Sequence, residues 1–276
     1  MVLRHTHSWS GKGQRPDQFE KLLTGVAVDN DNRLLAVGDQ QVKRFSGDGR
    51  VEQRFSLPAL GWSIAVDRES IWIGLSHQIH CYGFDGTNTN RIVDTTRLGR
   101  ITGLAVSGDT LFAADATNRT IHLFQNGQWQ REVGSDVNTR GFMLPNGVLD
   151  LALDAPRDSI VVAHPQKHRV ERYTMQGKLT DKFGRFGMQD PADFAGCCNP
   201  TNIAAAENGL LAVSEKAPPR VKIFTSAGRF VGESEGGIFD ENTKNIDLAM
   251  DRQGRLYATD PLRCTIEVFE LDGATE

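Results

Sequence analysis

Six times along this 276-residue chain an apolar residue is followed directly by alanine at the head of a short apolar run. The pairs are Val26-Ala27, Ile64-Ala65, Leu104-Ala105, Leu151-Ala152, Ile203-Ala204 and Leu248-Ala249, spaced by 38, 40, 47, 52 and 45 residues. Self-similarity at such a period marks a chain built from stacked supersecondary units. The copy from Leu149 to Gly184 shows what the unit is. It holds four apolar runs, LDLAL, SIVVA, RVERY and LTDKF, separated by Asp-Ala-Pro, His-Pro and Gln-Gly-Lys. Branched and aromatic residues favour pleated backbone and Pro and Gly interrupt it, so the unit reads as four strands joined by turns. One such sheet leaves two faces uncovered and needs copies of itself alongside. Six copies predict an all-β, six-bladed β-propeller with four-stranded antiparallel blades.

The blades are expected at approximately 22-57, 60-98, 101-134, 148-184, 201-233 and 246-273, within a single propeller domain spanning 1-276. The last copy, Ile246 to Gly273, contains only three strands. Residues Leu3 to Trp9 (LRHTHSW) alternate as a strand should, so this N-terminal strand is expected to close the last blade. Closure of that kind removes an exposed sheet edge.

Several copies run the apolar-Ala pair into an acidic turn, then a second strand, then a third strand ending in Phe or Tyr: AVDNDNRLLAV, LAMDRQGRLYAT, TIHLF, RVKIF. This pattern resembles the NHL repeat, and Leu104 to Gly127 (LAVSGDTLFAADATNRTIHLFQNG) is the copy most similar to it. None of the four tryptophans precedes an Asp, as the WD40 repeat would ask, and one Gly-Gly pair, Gly236-Gly237, is too few for kelch. A weaker resemblance, carried by GCCNP and by SEKAPPRVKIF from Ser214 to Phe224, is to a bacterial-type subgroup of NHL-like propellers.

A net charge of −4 gives no overall basic field, which argues against nucleic acid as a partner. No apolar run has the length of a membrane span and MVLRHTHSWSGK has no apolar signal core, so the expectation is a soluble, cytoplasmic monomer. Export is the alternative if a leader precedes this sequence. Four cysteines are too few for a disulfide framework.

In a propeller the loops before each first strand and after each second strand share one rim of the central channel. That rim is expected to receive Asp150, Asn202 and Asp247 at first-strand starts, and Asp39, Asp115, His164, Ser214, Glu215 and Asp260 at second-strand ends. The long connections Gly134 to Gly147, Gly184 to Pro200 and Gly232 to Asn245 arrive there too, and loops longer than a turn requires are commonly functional. The candidate ligand face is therefore Asp150, His164, His168, Asn202, Glu215, Asp247 and Asp260, walled by Phe194 to Pro200. Structural roles compete at several of these positions. Asp115 and Asp260 match the repeat's turn-stabilising acceptor, His164 and His168 sit on a strand connection, and Glu215 heads a stiff rim loop. For Cys197-Cys198 three readings stay open: a vicinal disulfide, a soft-metal clamp, and two thiols in a Pro-stopped turn.

The principal functional expectation is a binding platform whose channel face holds a small ligand, a peptide or a protein. The alternative is a metal-dependent lyase or hydrolase. Similarity to six-bladed enzymes such as the amidating lyase and the gluconolactonase-like enzymes implies a divalent ion (Ca, Zn, Mn or Cu) at the channel mouth. Its candidate ligands here are Asp150, His164, Asn202, Asp247, Cys197 and Cys198, although those enzymes' full ligand sets do not map residue by residue. RNA binding is a third reading, disfavoured by charge. Fold by itself does not choose among them.

Overall fold

The computed structural model describes residues 2–272, and the expected end of the last blade at Gly273 lies outside them. Six four-stranded antiparallel sheets are arranged as blades, each with its strands in sequence order from the channel outwards except the last. Blade four is representative, with strands Asp150–Asp154, Ser159–His164, Arg169–Thr174 and Leu179–Phe183. These coincide with the four apolar runs. Two 3-10 turns, Ala155–Arg157 and Pro165–Lys167, are the only helical segments among the described residues, and each has proline in its first turn. No helix among those residues is long and apolar enough to cross a membrane.

The second strands are the most deeply buried: every residue of Leu34–Gly38 and of Ser159–His164 is out of solvent. The fourth strands are largely exposed, as Asn88–Val93 and Gln128–Val133 show. The core consists of six apolar clusters, each filled from two neighbouring blades. Between blades three and four, for example, Phe112 and Ile121 meet Leu151, Ile160 and Tyr173. Every blade thus covers its neighbour's open face, which a lone copy cannot do.

The ring closes as the alternation at the N-terminus predicts. Val2–Ser10 is the outer strand of blade six, antiparallel to Thr265–Asp272, with register running from Val2 opposite Asp272 to Ser10 opposite Thr265. Leu3 is buried against Phe269, and Trp9 packs on Phe45 of blade one and on Tyr257 of blade six.

Candidate functional site

At the start of each first strand one polar side chain reaches across the channel wall to the next blade. Thr24 Oγ1 donates to the Gly61 carbonyl at 2.7 Å, Ser63 Oγ to Ile101 at 2.9 Å, and Thr102 Oγ1 to Leu149 at 2.8 Å. In the other half of the ring the chemistry changes. Asp150 Oδ2 accepts the Ile203 N–H at 2.9 Å, Asn202 Nδ2 donates to Asp247 Oδ1 at 3.1 Å, and Asp247 Oδ2 accepts the Val26 N–H at 2.7 Å. The six bonds link blade one to two, two to three and so on around to one. Blades one to three use hydroxyls, and blades four to six use two carboxylates and an amide.

The sequence makes room for that substitution. Blades one and three each carry a register shift at the strand start, between Leu23 and Gly25 and between Ile101 and Gly103. The glycines stand against the two acids. A Cβ at Gly103 would lie 2.8 Å from Asp150 Oδ1, and one at Gly25 would lie 3.2 Å from Asp247 Oδ2.

Asp150 is buried and Asp247 half-buried in the channel wall. Burial, and then the charge of Asp247, push the Asp150 carboxyl well above the ordinary range. Burial likewise raises Asp247 to about 7, against the pull of the Val26, Asn202 and Leu248 N–H groups. The two carboxyls titrate as one unit, and near neutrality the unit retains a proton. Among the described residues no salt bridge offsets the second charge in the way Arg172 offsets Asp154 in blade four.

Asn202, between the acids, forms part of the floor of a cavity of about 160 Å³ at the channel mouth. Trp62, Arg100, Asn146, Lys244 and Asn245 are among its other walls. The Arg100 guanidinium lies 4.9 Å from the Trp62 ring centroid and donates to the Gly147 carbonyl at 2.6 Å. Three of the lining residues each carry a buried polar atom with no hydrogen-bond partner among the described residues: Asn202 Oδ1, Asn245 Oδ1 and Arg100 Nε. A buried polar group without a partner costs about 1–3 kcal/mol, so three on residues around one cavity single it out among the surfaces of the propeller.

The remaining expected site residues serve another purpose. At the second-strand ends the side chain accepts backbone N–H groups from the chain segment that enters the blade and, in some blades, from the turn that follows it. Asp39 takes Glu20, Lys21 and Leu22, and Asp115 takes Gly99, Thr117 and Asn118. Asp260 takes Asp240, Leu262 and Arg263 and the Thr243 hydroxyl, so it is the turn acceptor and not a channel ligand. His164 and Glu215 occupy the same position in blades four and five, which corrects their placement at the channel. His164 Nε2 accepts the Met143 N–H at 3.3 Å while Nδ1–H donates to Glu171 at 3.1 Å, leaving no nitrogen for a metal. Burial keeps this imidazole neutral, and that tautomer satisfies both bonds. Glu215 Oε1 accepts Ala195 N–H at 3.0 Å and Oε2 pairs with Arg220 and Lys222.

A partner seven residues onward completes most of these acceptors. Asp115 meets His122, His164 meets Glu171, and Glu215 meets Lys222, at 3.2, 3.1 and 3.1 Å. The polarity of the pair reverses between blades three and four, so chemistry is kept while charge order is not. His168, expected on the ligand face, instead has left-handed backbone at the end of the Pro165–Lys167 turn and stands edge-on to Phe186 at 5.0 Å.

The Phe194 to Pro200 loop does border the mouth. Asn146 donates from Nδ2 to the Cys198 carbonyl at 3.2 Å and accepts from Lys216 Nζ at 2.6 Å. Cys197 and Cys198 are free thiols with sulfurs 2.9 Å apart. Among the described residues no group of three or more His, Cys, Asp or Glu side chains is arranged to hold a metal ion, so neither the thiols nor the acids gain further ligands of those types.

Asn146, Lys244 and Asn245 belong to long connections expected at this rim but were not singled out, and Trp62 and Arg100 had no signal in the sequence. The ring itself had a signal: one or two residues before each apolar-Ala pair stands Thr, Ser, Thr, Asp, Asn or Asp.

The fold and the ring define the chain as a six-bladed β-propeller whose bond-forming side chains change character halfway round the channel. No protein-family model matches the chain. Among curated proteins, Drosophila melanogaster protein brain tumor is 25% identical over 134 residues, covering 48% of this chain and 12% of that protein. Among solved structures, the WD40 β-propeller domain of Doa1 superposes with a TM-score of 0.67 at 11% identity, over 99% of this chain and 98% of that one. A Bacteroides thetaiotaomicron protein of unknown function gives 0.70 at 14%, over 98% and 76%. A streptogramin B lyase gives 0.62 at 12%, over 91% and 93%. At these identities the likeness is one of fold.

Proposed function

We propose that this propeller is a binding platform whose mouth cavity takes a small polar ligand, or the polar end of a peptide or protein segment. The observation that carries the reading is that Asn202, Asn245 and Arg100, three residues lining one cavity, each hold a buried polar atom (Oδ1, Oδ1 and Nε) with no hydrogen-bond partner among the described residues. The two amide oxygens ask for donors such as hydroxyl or N–H, and the Arg100 Nε–H asks for an acceptor. Lys244, exposed on the rim, and Arg100 favour an acceptor that is anionic. The ligand class that fits is a hydroxy acid, an amino acid or a peptide terminus, with Trp62 offering an aromatic face to its carbon skeleton. A panel of these compounds titrated against Trp fluorescence and by calorimetry tests it. Binding tighter than about 1 mM, some 4 kcal/mol, that Asn202→Leu reduces at least about tenfold supports the reading. No binding across the panel, or equal binding to the variant, overturns it.

The alternative, a metal-dependent lyase or hydrolase, rests on the raised Asp150–Asp247 pair, which a divalent cation would relieve; of these classes only lyase appears in the name of a structure of similar fold, the streptogramin B lyase. The donor set fits a resident metal poorly. Each acid already accepts a backbone N–H with one oxygen, and His164 is committed to Glu171 and Met143. Calorimetric titration of chelator-treated protein with calcium, zinc, manganese and copper(II) separates the two readings, because only the second requires binding tighter than about 1 mM.

A further inference from the structure

The cysteine pair lies outside the ligand-binding argument, and its surroundings differ for the two sulfurs. Cys197 is exposed, while Cys198 is 4% exposed beneath it. Their sulfurs are 2.9 Å apart, and a movement of about 1 Å would bring them to the 2.05 Å of a covalent bond. Lys216, a cation at the end of the Leu210–Lys216 strand, is held near them through Asn146, which also donates to the Cys198 carbonyl. Glu215 and Asn199 fix both ends of the loop: Glu215 accepts Ala195 N–H, and Asn199 Oδ1 accepts Lys216 N–H at 2.8 Å. Two thiols in contact, one accessible and one covered, beside a fixed cation, have the layout of an attacking and a resolving thiol.

We propose that Cys197 and Cys198 are a redox-active dithiol that undergoes thiol–disulfide exchange with small disulfides at the rim of the channel mouth. In the first step the Cys197 thiolate attacks one sulfur of a disulfide RSSR. A Cys197–SR bond forms, the S–S bond breaks, and RS⁻ leaves to take a proton from water. In the second step Cys198 gives its proton to solvent and attacks Cys197 Sγ. The Cys197–Cys198 bond forms and the second RS⁻ departs. Two protein thiols are oxidised by two electrons and RSSR is reduced to two RSH. Polarity agrees with this order: the hydrogen bond from Cys198 and the charge of Lys216 lower the Cys197 thiol, whereas burial raises Cys198. Adjacent Cα atoms, about 3.8 Å apart, are closer than disulfides ordinarily span, so the closed ring is readily reopened by thiols.

Closure would turn the Cys197–Cys198 peptide and with it the carbonyl that Asn146 holds, so the redox state is expected to reach the mouth cavity. The exchange itself does not depend on what that cavity binds.

The test is incubation of the full chain with oxidised glutathione, followed by peptide mass spectrometry and counting of released thiol. The expected product is a peptide lacking two hydrogens across Cys197–Cys198, with two equivalents of glutathione released and full reversal by dithiothreitol. Cys198→Ser should stop at a stable glutathione adduct on Cys197, and Cys197→Ser should react roughly tenfold more slowly or less. Both variants are first checked for an unchanged circular dichroism spectrum, and Cys81→Ser serves as a buried-thiol control. Should a variant misfold, the wild-type product alone decides: a mixed disulfide that never closes, or oxidation spread equally to Cys81 and Cys264, overturns the proposal.

Discussion

Two sets of buried acids share one rim of this propeller and behave oppositely. At the second-strand ends, Asp115, Glu215 and Asp260 each accept several donors or meet a cation or imidazole. At the first-strand starts, Asp150 and Asp247 face each other's charge across an amide, with one backbone donor each from the neighbouring blade. Burial raises any carboxyl, and what decides the outcome is whether the donors and charges set against it outweigh that burial. In Asp115 the bonds from His122, Asn118 and Gly99 outweigh burial and the carboxyl ends below its ordinary value. In Asp247 burial wins. Structural acids are thus told from candidate functional ones by their partners and not by depth.

The contrast breaks most visibly at Glu215. Glu215→Ala leaves the fully buried Lys222 without its carboxylate and frees Ala195 N–H, and the expected loss is about 3–5 kcal/mol in urea unfolding. A smaller cost, about 1–3 kcal/mol, is expected of Gly103→Ala, whose Cβ would meet Asp150 Oδ1 at 2.8 Å and the Leu149 carbonyl at 3.0 Å. The same substitution at Gly108, which has open space around it, tests only backbone conformation.

Next in size is the pH dependence. Asp247, raised in the folded state, gives the fold more protons than the unfolded chain between its ordinary value near 3.8 and about 7. Stability from this group is present below that window and is lost as pH rises through it, by a few kcal/mol at most. Asp115 and Glu171, both depressed, contribute in the opposite sense: their stability is present above the ordinary carboxylate range and is lost on acidification. Asp247→Asn should flatten the first slope in thermal melts across pH 4–8 and leave the acid-side loss intact. At pH 8 the same variant should change stability by less than about 1 kcal/mol, because relief of repulsion offsets a weakened bond to Val26 or Asn202.

Much of this was legible in the chain. Blade number, strand order and the closing N-terminal strand follow from the apolar-Ala period and from alternation in LRHTHSW, because a propeller repeats one local solution. Asp150, Asn202 and Asp247 stand at first-strand starts for the same reason: they precede the repeat's fixed landmark by one residue. His164, Glu215 and Asp260 misled because strand geometry delivers them to the rim but says nothing of partners. Aligning the third strands would have shown His122, Glu171 and Lys222 seven residues on, and with them the pairing. Trp62 and Arg100 had no such handle, since they come from short connections that meet the others only once the ring is closed.

The two sets of acids are expected to titrate apart. Carbon-detected NMR titration of Asp side-chain carboxyls, assigned with Asp150→Asn, Asp247→Asn and Asp115→Asn, measures this directly. The expected result is an Asp247 midpoint near 7, Asp150 above its ordinary value and moving when Asp247 is replaced, and Asp115 below its own. Midpoints for Asp150 and Asp247 at the ordinary value of 3.8, each unaffected by loss of the other, would contradict it.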